Sequence, residues 1–448
     1  MSGITNSDTL NFSGNNLGFD PGAMEQLCDA LAANTTSTEL DLSCNNLGSA
    51  PEPVMARLCD ALAANTTIKC LDLGDNDLGN ASEAVMARLR DALAKNTAIT
   101  DLNLHDNGLG FAPEPVMTRL SDALEANTTL ACLYLGDNSL GSASKAVMAR
   151  LCDVLEKKTT LAWLDLCWND LGSAPKAVMA RLCDALAANT TITTLDLSNN
   201  KLGSALKAVM ARLGDALAAN TAITSLYLRG NELGRASEEV MAKLCDALAA
   251  NTTIADLNLS GNRLGSASEA VMKLLNNALV KNNTIAFLNL ENNKLGSASE
   301  AVMKRLCDAL AANTTITSLN LCDNSLGSVS EAVMALLCDT LAKNSTITFL
   351  NLGYNELGSA PEAVMARFCE ALAKNTTITT LKLRSNMLGS APEPVMKRLC
   401  DALAANTAIT DLNLRGNDLF EESEQKSFLE VLQIVRMKMH GERLIYIR

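Results

Sequence analysis

A short segment recurs fourteen times in this 448-residue chain, and every copy has asparagine at the same place. The segment reads L-x-L-x-x-N-x-L, with Phe12 in place of the second leucine in the first copy, and it begins at Leu10, at Leu40 and then every 31 residues as far as Leu412. Repeats of about 20 to 50 residues are typical of solenoids, in which each repeat buries its apolar faces against its neighbours. Residues 1–419 are therefore predicted to form one repeat domain.

Each repeat combines a helical pattern with a short strand pattern. In the copy from Ser173 to Gly203, apolar residues first recur at helical spacing, at Val178, Leu182, Cys183 and Leu186. Apolar and polar residues then alternate as in a strand, with Ile192, Leu195 and Leu197 pointing inward. Copies such as Ser359-Ala-Pro-Glu362 have the pattern of a capping box, and Gly203 is expected to permit a turn. Strands pack about 4.8 Å apart and helices about 8–10 Å apart, which predicts a curved array. The predicted fold is an α/β, right-handed solenoid shaped as a horseshoe, with a parallel sheet on the concave face and helices on the convex face.

The pattern L-x-x-x-L-x-x-N-x-x-I-x-x-L-x-L-x-x-N-x-L-G, as in Leu182 to Gly203, resembles the ribonuclease-inhibitor-type leucine-rich repeat. That family includes ribonuclease inhibitors, the GTPase-activating protein of Ran, and sensor domains of innate-immune receptors, so the resemblance implies a scaffold rather than one activity. The uniform 31-residue period departs from that of mammalian ribonuclease inhibitor, and inhibition of ribonucleases is not implied. The near-identical copies also resemble leucine-rich-repeat effectors of intracellular bacterial pathogens.

The two ends of the chain depart from the repeat. Residues 420–448 are predicted to form a cap, with a helix from Glu421 to Met439 and a strand from Arg443 to Arg448. The acidic start and basic finish of this segment also resemble secretion signals of bacterial effectors, and the two interpretations are compatible. At the other end, Thr9 to Phe12 leaves a sheet edge that invites pairing, and whether it mediates self-association stays open.

Composition narrows the class of partner and the compartment. Fifty acidic and 37 basic residues give a net charge of −13, which disfavours nucleic acid and anionic membranes as partners. The N-terminal stretch is polar and no apolar run approaches 18 residues, so the chain is expected to be cytoplasmic, or translocated into a host cytosol if it is an effector. Nine cysteines share one repeat position, which is elsewhere Arg90, Ser121, Gly214 or Asn276, and free thiols are therefore predicted.

Aromatic residues concentrate where the repeats differ, on the outward strand positions and the turn that follows. Seven of the fourteen in the chain are there: Tyr134, Trp163, Trp168, Tyr227, Phe287, Phe349 and Tyr354. Strands favour aromatic residues in any case. Exposed Trp and Tyr are, however, frequent anchors of protein interfaces, and these seven are predicted to contact a partner.

Acidic residues dominate the same positions in the first seven repeats. Lys201 is the one basic residue there, against Glu39, Asp41, Asp72, Asp75, Asp77, Asp101, Asp106, Asp137, Asp165, Asp170 and Asp196. Three of them, Asp75, Asp106 and Asp137, share one position in consecutive repeats, about 5 Å apart. Three interpretations are open: a solvated acidic rim, a site for a basic protein surface, or a Ca²⁺ site. Asp72, Asp75, Asp106, Asp137 and Asp165 are assigned to the predicted partner site.

Catalytic motifs are not found in the sequence. The two histidines, His105 and His440, lie at opposite ends of the chain, and no phosphate-binding loop, zinc spacing or nucleophile elbow is present. The sequence therefore predicts a non-enzymatic scaffold, without metal or cofactor, that binds a protein with a basic surface. The alternatives are a regulator of a small GTPase, as in the Ran activator, and a structural spacer.

Overall fold

The computed structural model describes residues 9–419 and 444–446. It divides into two compact units, Met1–Tyr227 and Leu228–Arg448. Both units are built from the same repeat, in which a three-residue strand is followed by a short 3-10 turn and a 13-residue α-helix. The predicted fold class, an α/β leucine-rich-repeat solenoid with a parallel sheet, is confirmed.

The first unit contains strands β1 to β8 and helices α1 to α7. The strands pair in parallel and in chain order, with the central leucines in register, as in Leu71 and Leu102. Their bounds are β1 Thr9–Asn11, β2 Glu39–Asp41, β3 Cys70–Asp72, β4 Asp101–Asn103, β5 Cys132–Tyr134, β6 Trp163–Asp165, β7 Thr194–Asp196 and β8 Ser225–Tyr227. The helices are α1 Pro21–Ala33, α2 Glu52–Ala64, α3 Glu83–Lys95, α4 Glu114–Ala126, α5 Lys145–Lys157, α6 Lys176–Ala188 and α7 Lys207–Ala219.

The second unit contains strands β9 to β15 and helices α8 to α13. The strands are β9 Asp256–Asn258, β10 Phe287–Asn289, β11 Ser318–Asn320, β12 Phe349–Asn351, β13 Thr380–Lys382, β14 Asp411–Asn413 and β15 Leu444–Tyr446. The helices are α8 Glu238–Ala250, α9 Glu269–Lys281, α10 Glu300–Ala312, α11 Glu331–Lys343, α12 Glu362–Lys374 and α13 Glu393–Ala405. Strand β15 pairs in parallel with β14, and the helix predicted at 421–439 lies outside the described residues.

The core of each repeat lies between its strand and its helix. In the repeat that contains α6 and β7, the strand buries Leu195 and, just beyond its end, Leu197, while the helix buries Val178, Leu182 and Leu186. This is the arrangement that alternating and helical spacings of apolar residues predict. None of the helices in the described part of the chain is long and apolar enough to cross a membrane.

A ladder of buried asparagines links consecutive repeats. Asn138 is fully buried, and its side-chain Nδ2 donates to the carbonyl of Leu104 in the preceding repeat at 2.8 Å and to that of Gly136 at 3.0 Å. Its Oδ1 accepts the backbone N–H groups of Asn107 and Leu109 at 3.0 and 3.2 Å. One amide therefore satisfies four backbone groups that the turn would otherwise bury unpaired, which explains why the position is asparagine in every copy.

A second asparagine ladder ends the helices. Asn96, which follows α3, donates from Nδ2 to the carbonyl of Leu62 in the preceding helix at 2.8 Å, and its Oδ1 accepts the N–H groups of Ala98 and Ile99. Several repeats have Asn-Thr-Thr from this position onward, as at residues 65–67. Helix termination explains these triplets, since short polar side chains stabilise turns.

Lys158 interrupts the second ladder, after α5. Its side chain is buried and donates from Nζ to the carbonyl of Asn127, but a lysine offers no oxygen to the backbone N–H groups that follow. Burial also lowers the pKa of Lys158 from its ordinary value of 10.5, because desolvation disfavours the ammonium ion. This repeat is therefore expected to be less stable than its neighbours.

We expect Lys158→Asn to raise the free energy of unfolding by about 1–2 kcal/mol at pH 7, through restored bonds and a removed buried charge. Because the pKa of Lys158 is lowered in the folded state, the unfolded chain binds more protons than the folded one. The free-energy cost of burying the ammonium group therefore disappears as the pH rises towards the pKa of a lysine in the unfolded chain. The difference between variant and wild type should thus narrow from pH 7 to 10. Urea denaturation at several pH values measures it. A variant no more stable than wild type at pH 7 contradicts the assignment.

One local prediction differs from the structure. The capping box at Ser359 and Glu362 is wrong, because Ser359 ends a 3-10 turn and Pro361 is the residue that precedes α12. A serine cap does exist where the later position is serine, as at Ser330, whose Oγ accepts the N–H of Val333 at 3.3 Å. The glycine of each 3-10 turn is required by close packing: a Cβ at Gly79 would lie 2.5 Å from the carbonyl oxygen of Gly108.

The cysteines are free thiols. Of the nine that share one repeat position, all but the half-buried Cys28 are buried in the helix layer. Burial raises their pKa, for example that of Cys183 to about 12, since an apolar environment disfavours the thiolate. These thiols act as small apolar side chains of the core.

Candidate functional site

The non-buried side of the first unit's sheet is the part of the repeats that varies most. We call it the acidic sheet surface, and it consists of the first and third residues of β1 to β8, which flank a buried central leucine in β2 to β8. The first residues are Thr9, Glu39, Cys70, Asp101, Cys132, Trp163, Thr194 and Ser225, and the third are Asn11, Asp41, Asp72, Asn103, Tyr134, Asp165, Asp196 and Tyr227.

The third strand residue has a structural role that sequence reasoning missed. Oδ1 of Asp72 accepts the backbone N–H of Gly74 at 2.8 Å, and Asn103 and Asp165 do the same for the N–H two residues later, at 2.9 and 2.7 Å. Short Asp and Asn side chains commonly bond backbone groups two residues on. The predicted site residues Asp72 and Asp165 therefore each use one carboxylate oxygen to end their strands.

Two strands of the first unit lack this cap, because their third residue is a tyrosine, which has no oxygen close to its own backbone. These residues are Tyr134 and Tyr227, and both contact Trp163. The ring centroids of Tyr134 and Trp163 are 6.3 Å apart, and those of Trp163 and Tyr227 are 6.1 Å apart in an edge arrangement. Such pairs stabilise one another by about 0.5–1.5 kcal/mol. The sequence itself contains the signal for this cluster, since tyrosine replaces Asp or Asn at the third position of these two strands.

The two tryptophans of this repeat differ in their surroundings. Trp163 is half-buried, and its indole N–H is enclosed without an acceptor among the described residues. Trp168 lies in the turn after β6 with φ of 57° and is 57% exposed, while its backbone N–H donates to the carbonyl of Ser198. Neither indole is part of the core, which leaves both available as the predicted contact residues.

A pocket of about 370 Å³ opens on the acidic sheet surface, and Tyr134 forms part of its wall. Four of its lining residues carry carboxylates: Glu39, Asp41, Asp72 and Asp101. Thr9, Leu40, Cys70, Leu71 and Asn103 complete the lining. The repeat pattern places all four acids on the outward side, but only Asp72 is predicted as a site residue, because a pocket depends on side-chain packing that a repeat pattern does not specify.

These four carboxylates lack a basic neighbour. No lysine or arginine nitrogen of the described residues lies within 4 Å of them. Two glutamates of the helix layer do have a basic neighbour, since Glu52 pairs with Arg88 at 3.0 Å and Glu83 pairs with Arg119 at 2.9 Å. The negative charge around the pocket is thus not compensated by an ion pair.

The predicted aspartate row is present in the turns. Asp75, Asp106 and Asp137 occupy equivalent exposed positions with φ between 49° and 53°. Partial burial raises the pKa of Asp106, and the carboxylates of Asp137 and Asp75 raise it further. Across the described residues, no group of three or more His, Cys, Asp or Glu side chains is arranged to hold a metal ion.

The other predicted site residues lie in the second unit. Phe287 and Phe349 are the half-buried first residues of β10 and β12, and Tyr354 is an exposed turn residue with the Arg384 guanidinium 5.7 Å from its ring centroid. The third strand residues of β9 to β14 are neutral asparagines except at Lys382, which pairs with Asp411 at 2.7 Å. The acidic lining and the three-ring cluster are therefore features of the first unit.

A family model described as a leucine-rich repeat matches four segments, residues 33–50, 64–82, 188–205 and 343–360. With the strand–helix repeats described above, these matches define the class: the chain is built from leucine-rich repeats. Among solved structures it is similar to the leucine-rich repeat-containing protein LegL7 from Legionella pneumophila, with 24% identity, a TM-score of 0.49, and coverage of 77% of this chain and 93% of that chain. No curated protein matches the sequence.

Proposed function

We propose that this protein is a non-enzymatic scaffold that binds a basic protein segment on the acidic sheet surface of its first unit. The leucine-rich-repeat fold is consistent with a protein-binding scaffold. The observation that carries the proposal is the group of carboxylates without basic neighbours around the pocket, beside the cluster of Tyr134, Trp163 and Tyr227.

The like charges around the pocket support binding over a merely solvated rim. An exposed carboxylate gains from nearby opposite charge, as Glu52 and Glu83 do in the helix layer. Around the pocket, like charges lie on neighbouring strands without such compensation, as at Asp41 and Asp72. A positively charged partner would relieve that repulsion and would be attracted to the surface at long range.

The aromatic cluster supports a protein partner over a small solute. Aromatic anchors contribute a large part of the binding energy in protein interfaces, and they cluster near the centre of the contact. Trp163 is held between Tyr134 of the adjacent strand and Tyr227 two strands away, so it is ordered before a partner arrives. Such preorganisation reduces the entropy lost on binding.

Charge reversal on the sheet surface tests the proposal. We expect Asp72→Lys with Asp165→Lys to reduce capture of the partner at least tenfold, and the fold should tolerate lysine there because Lys382 occupies the same strand position. Affinity capture from a cell lysate, followed by affinity measurement with the purified captured protein, gives the comparison.

A helix-layer variant with the same change in net charge, Asp60→Lys with Asp122→Lys, is the matched control, because both aspartates are exposed there. It should bind the partner as wild type does. If both variants lose the partner equally, the effect is one of net charge, and if neither does, the acidic sheet surface is not the binding site.

A further inference from the structure

We infer that the pocket beside Tyr134 receives a single arginine side chain of the bound partner. This inference rests on the proposed function and specifies which chemical group the surface recognises. The cavity that supports it has a volume of about 370 Å³ and is lined by Tyr134, by carboxylates from strands β2, β3 and β4, and by two leucines. That volume is at the lower end for ligand sites, and it suits one long side chain rather than a folded surface.

The free oxygens of the carboxylates match a guanidinium group. Asp41 and Asp72 are register partners on β2 and β3, so their backbones are about 4.8 Å apart. In each, Oδ1 ends the strand, by accepting the N–H of Ser43 at 3.0 Å and that of Gly74 at 2.8 Å. Oδ2 of each residue accepts no hydrogen bond from the described residues. Two acceptors on adjacent strands fit the planar fork of arginine, which donates two parallel hydrogen bonds.

The outer carboxylates add charge but are already partly used. Oε2 of Glu39 accepts the hydroxyl of Thr9 at 2.6 Å, and Oδ2 of Asp101 accepts the hydroxyl of Thr100 at 2.6 Å. These bonds hold the two side chains in place at the sides of the pocket. They therefore raise the negative potential around Asp41 and Asp72 without competing for the same donor.

Tyr134 provides the apolar part of the pocket. One neighbour of its ring is Trp163, and the ring also lines the cavity. Arginine stacks on aromatic rings through its delocalised, weakly hydrated charge, whereas the compact ammonium group of lysine is strongly hydrated. A side chain that combines a charged planar group with an apolar stem thus matches both the carboxylates and the ring of Tyr134. The geometry favours arginine over lysine.

The test uses N-acetyl-arginine amide as the probe and Trp163 fluorescence as the signal. The exposed Trp168 is first replaced by phenylalanine, so that the emission reports only the indole next to Tyr134. A small ligand of this size is expected to bind with a Kd on the order of 1 mM. The citrulline analogue, which has the same shape but no charge, should bind at least tenfold more weakly, and the lysine analogue should also be weaker.

Asp41→Asn with Asp72→Asn should weaken the probe at least tenfold while preserving the strand ends, because Asn103 makes the same cap with its amide oxygen. Asp196→Asn, at the same strand position but outside the pocket, should leave binding unchanged. Three outcomes would each overturn the arginine pocket. The first is that the citrulline analogue binds as tightly as the arginine probe, and the second is that binding does not saturate by 20 mM probe, roughly twenty times the expected Kd. The third is that the double variant binds the probe as wild type does. The charge-reversal experiment tests the proposed function independently, so a failure of the arginine pocket would leave the protein-binding proposal intact.

Discussion

Replacing Asn138 with alanine is expected to lower the free energy of unfolding by roughly 4 kcal/mol, the largest effect of a single substitution that we predict. The change removes both hydrogen bonds from Nδ2, to the carbonyls of Leu104 and Gly136, and both bonds that Oδ1 accepts, from the N–H groups of Asn107 and Leu109. These groups are buried, and an unsatisfied buried backbone group costs about 1–3 kcal/mol. Alanine also leaves too little side chain to fill the space.

Urea denaturation followed by circular dichroism measures this loss. Repeat proteins need not unfold in one step, so the first transition is the relevant one. Asn283→Ala is the control, because Asn283 is exposed next to the helix-terminating Asn282, and its replacement should change stability by less than about 0.5 kcal/mol. If the free energy of unfolding of Asn138→Ala lies within 1 kcal/mol of the wild-type value, water must bond the backbone groups of the turn as well as the amide does. The asparagine ladder would then not be required for the structure.

Removal of the aromatic cluster is expected to weaken partner binding about 100-fold. Two anchors of at least about 1.4 kcal/mol each account for this figure when Tyr134→Ala is combined with Trp163→Ala. The physical reason is the loss of preorganised apolar area next to the charged pocket, which leaves electrostatic attraction alone to hold the partner. Surface-based affinity measurement with the captured protein gives the fold-change. Trp168→Ala should weaken binding without changing the melting temperature, since that ring is 57% exposed.

Phe349→Ala separates binding from stability in this experiment. Phe349 is also a half-buried aromatic at the first position of its strand, but it lies in the second unit. Its replacement should cost somewhat less stability than Trp163→Ala, because both remove a half-buried ring but only Trp163 has two aromatic partners. Its effect on affinity should be small by comparison. Equal losses of affinity for the two variants would mean that the cluster around Trp163 has no special role in binding.

The repeat itself was predictable in most of its parts. The positions of Leu195 and Leu197, the strand they define and the helix of each repeat follow from apolar spacing, and the structure confirms them. Asn200 was expected to satisfy the turn, and its buried amide donates to the carbonyls of Leu166 and Ser198. The capping box at Ser359 was wrong because a 3-10 turn intervenes before the helix, and a four-residue motif does not reveal that turn.

The candidate site was predictable only as a list of outward residues. Sequence spacing placed Asp72 and Asp165 on the outward side, but not the strand caps that occupy one of their oxygens. It also did not show that the ring of Trp163 contacts those of Tyr134 and Tyr227. The pocket needed the side-chain arrangement, because its lining combines residues of five strands.

The 31-residue period by itself determined the fold of each repeat and the lateral neighbours of every strand residue, because equal spacing in a parallel sheet leaves one register that keeps all the leucines buried. Only the tertiary structure decided which outward groups are already bonded and which remain for a partner. Trp163 shows the reason: its ring reaches past β7 to Tyr227, two strands away, and such contacts depend on side-chain conformations rather than on position in the repeat.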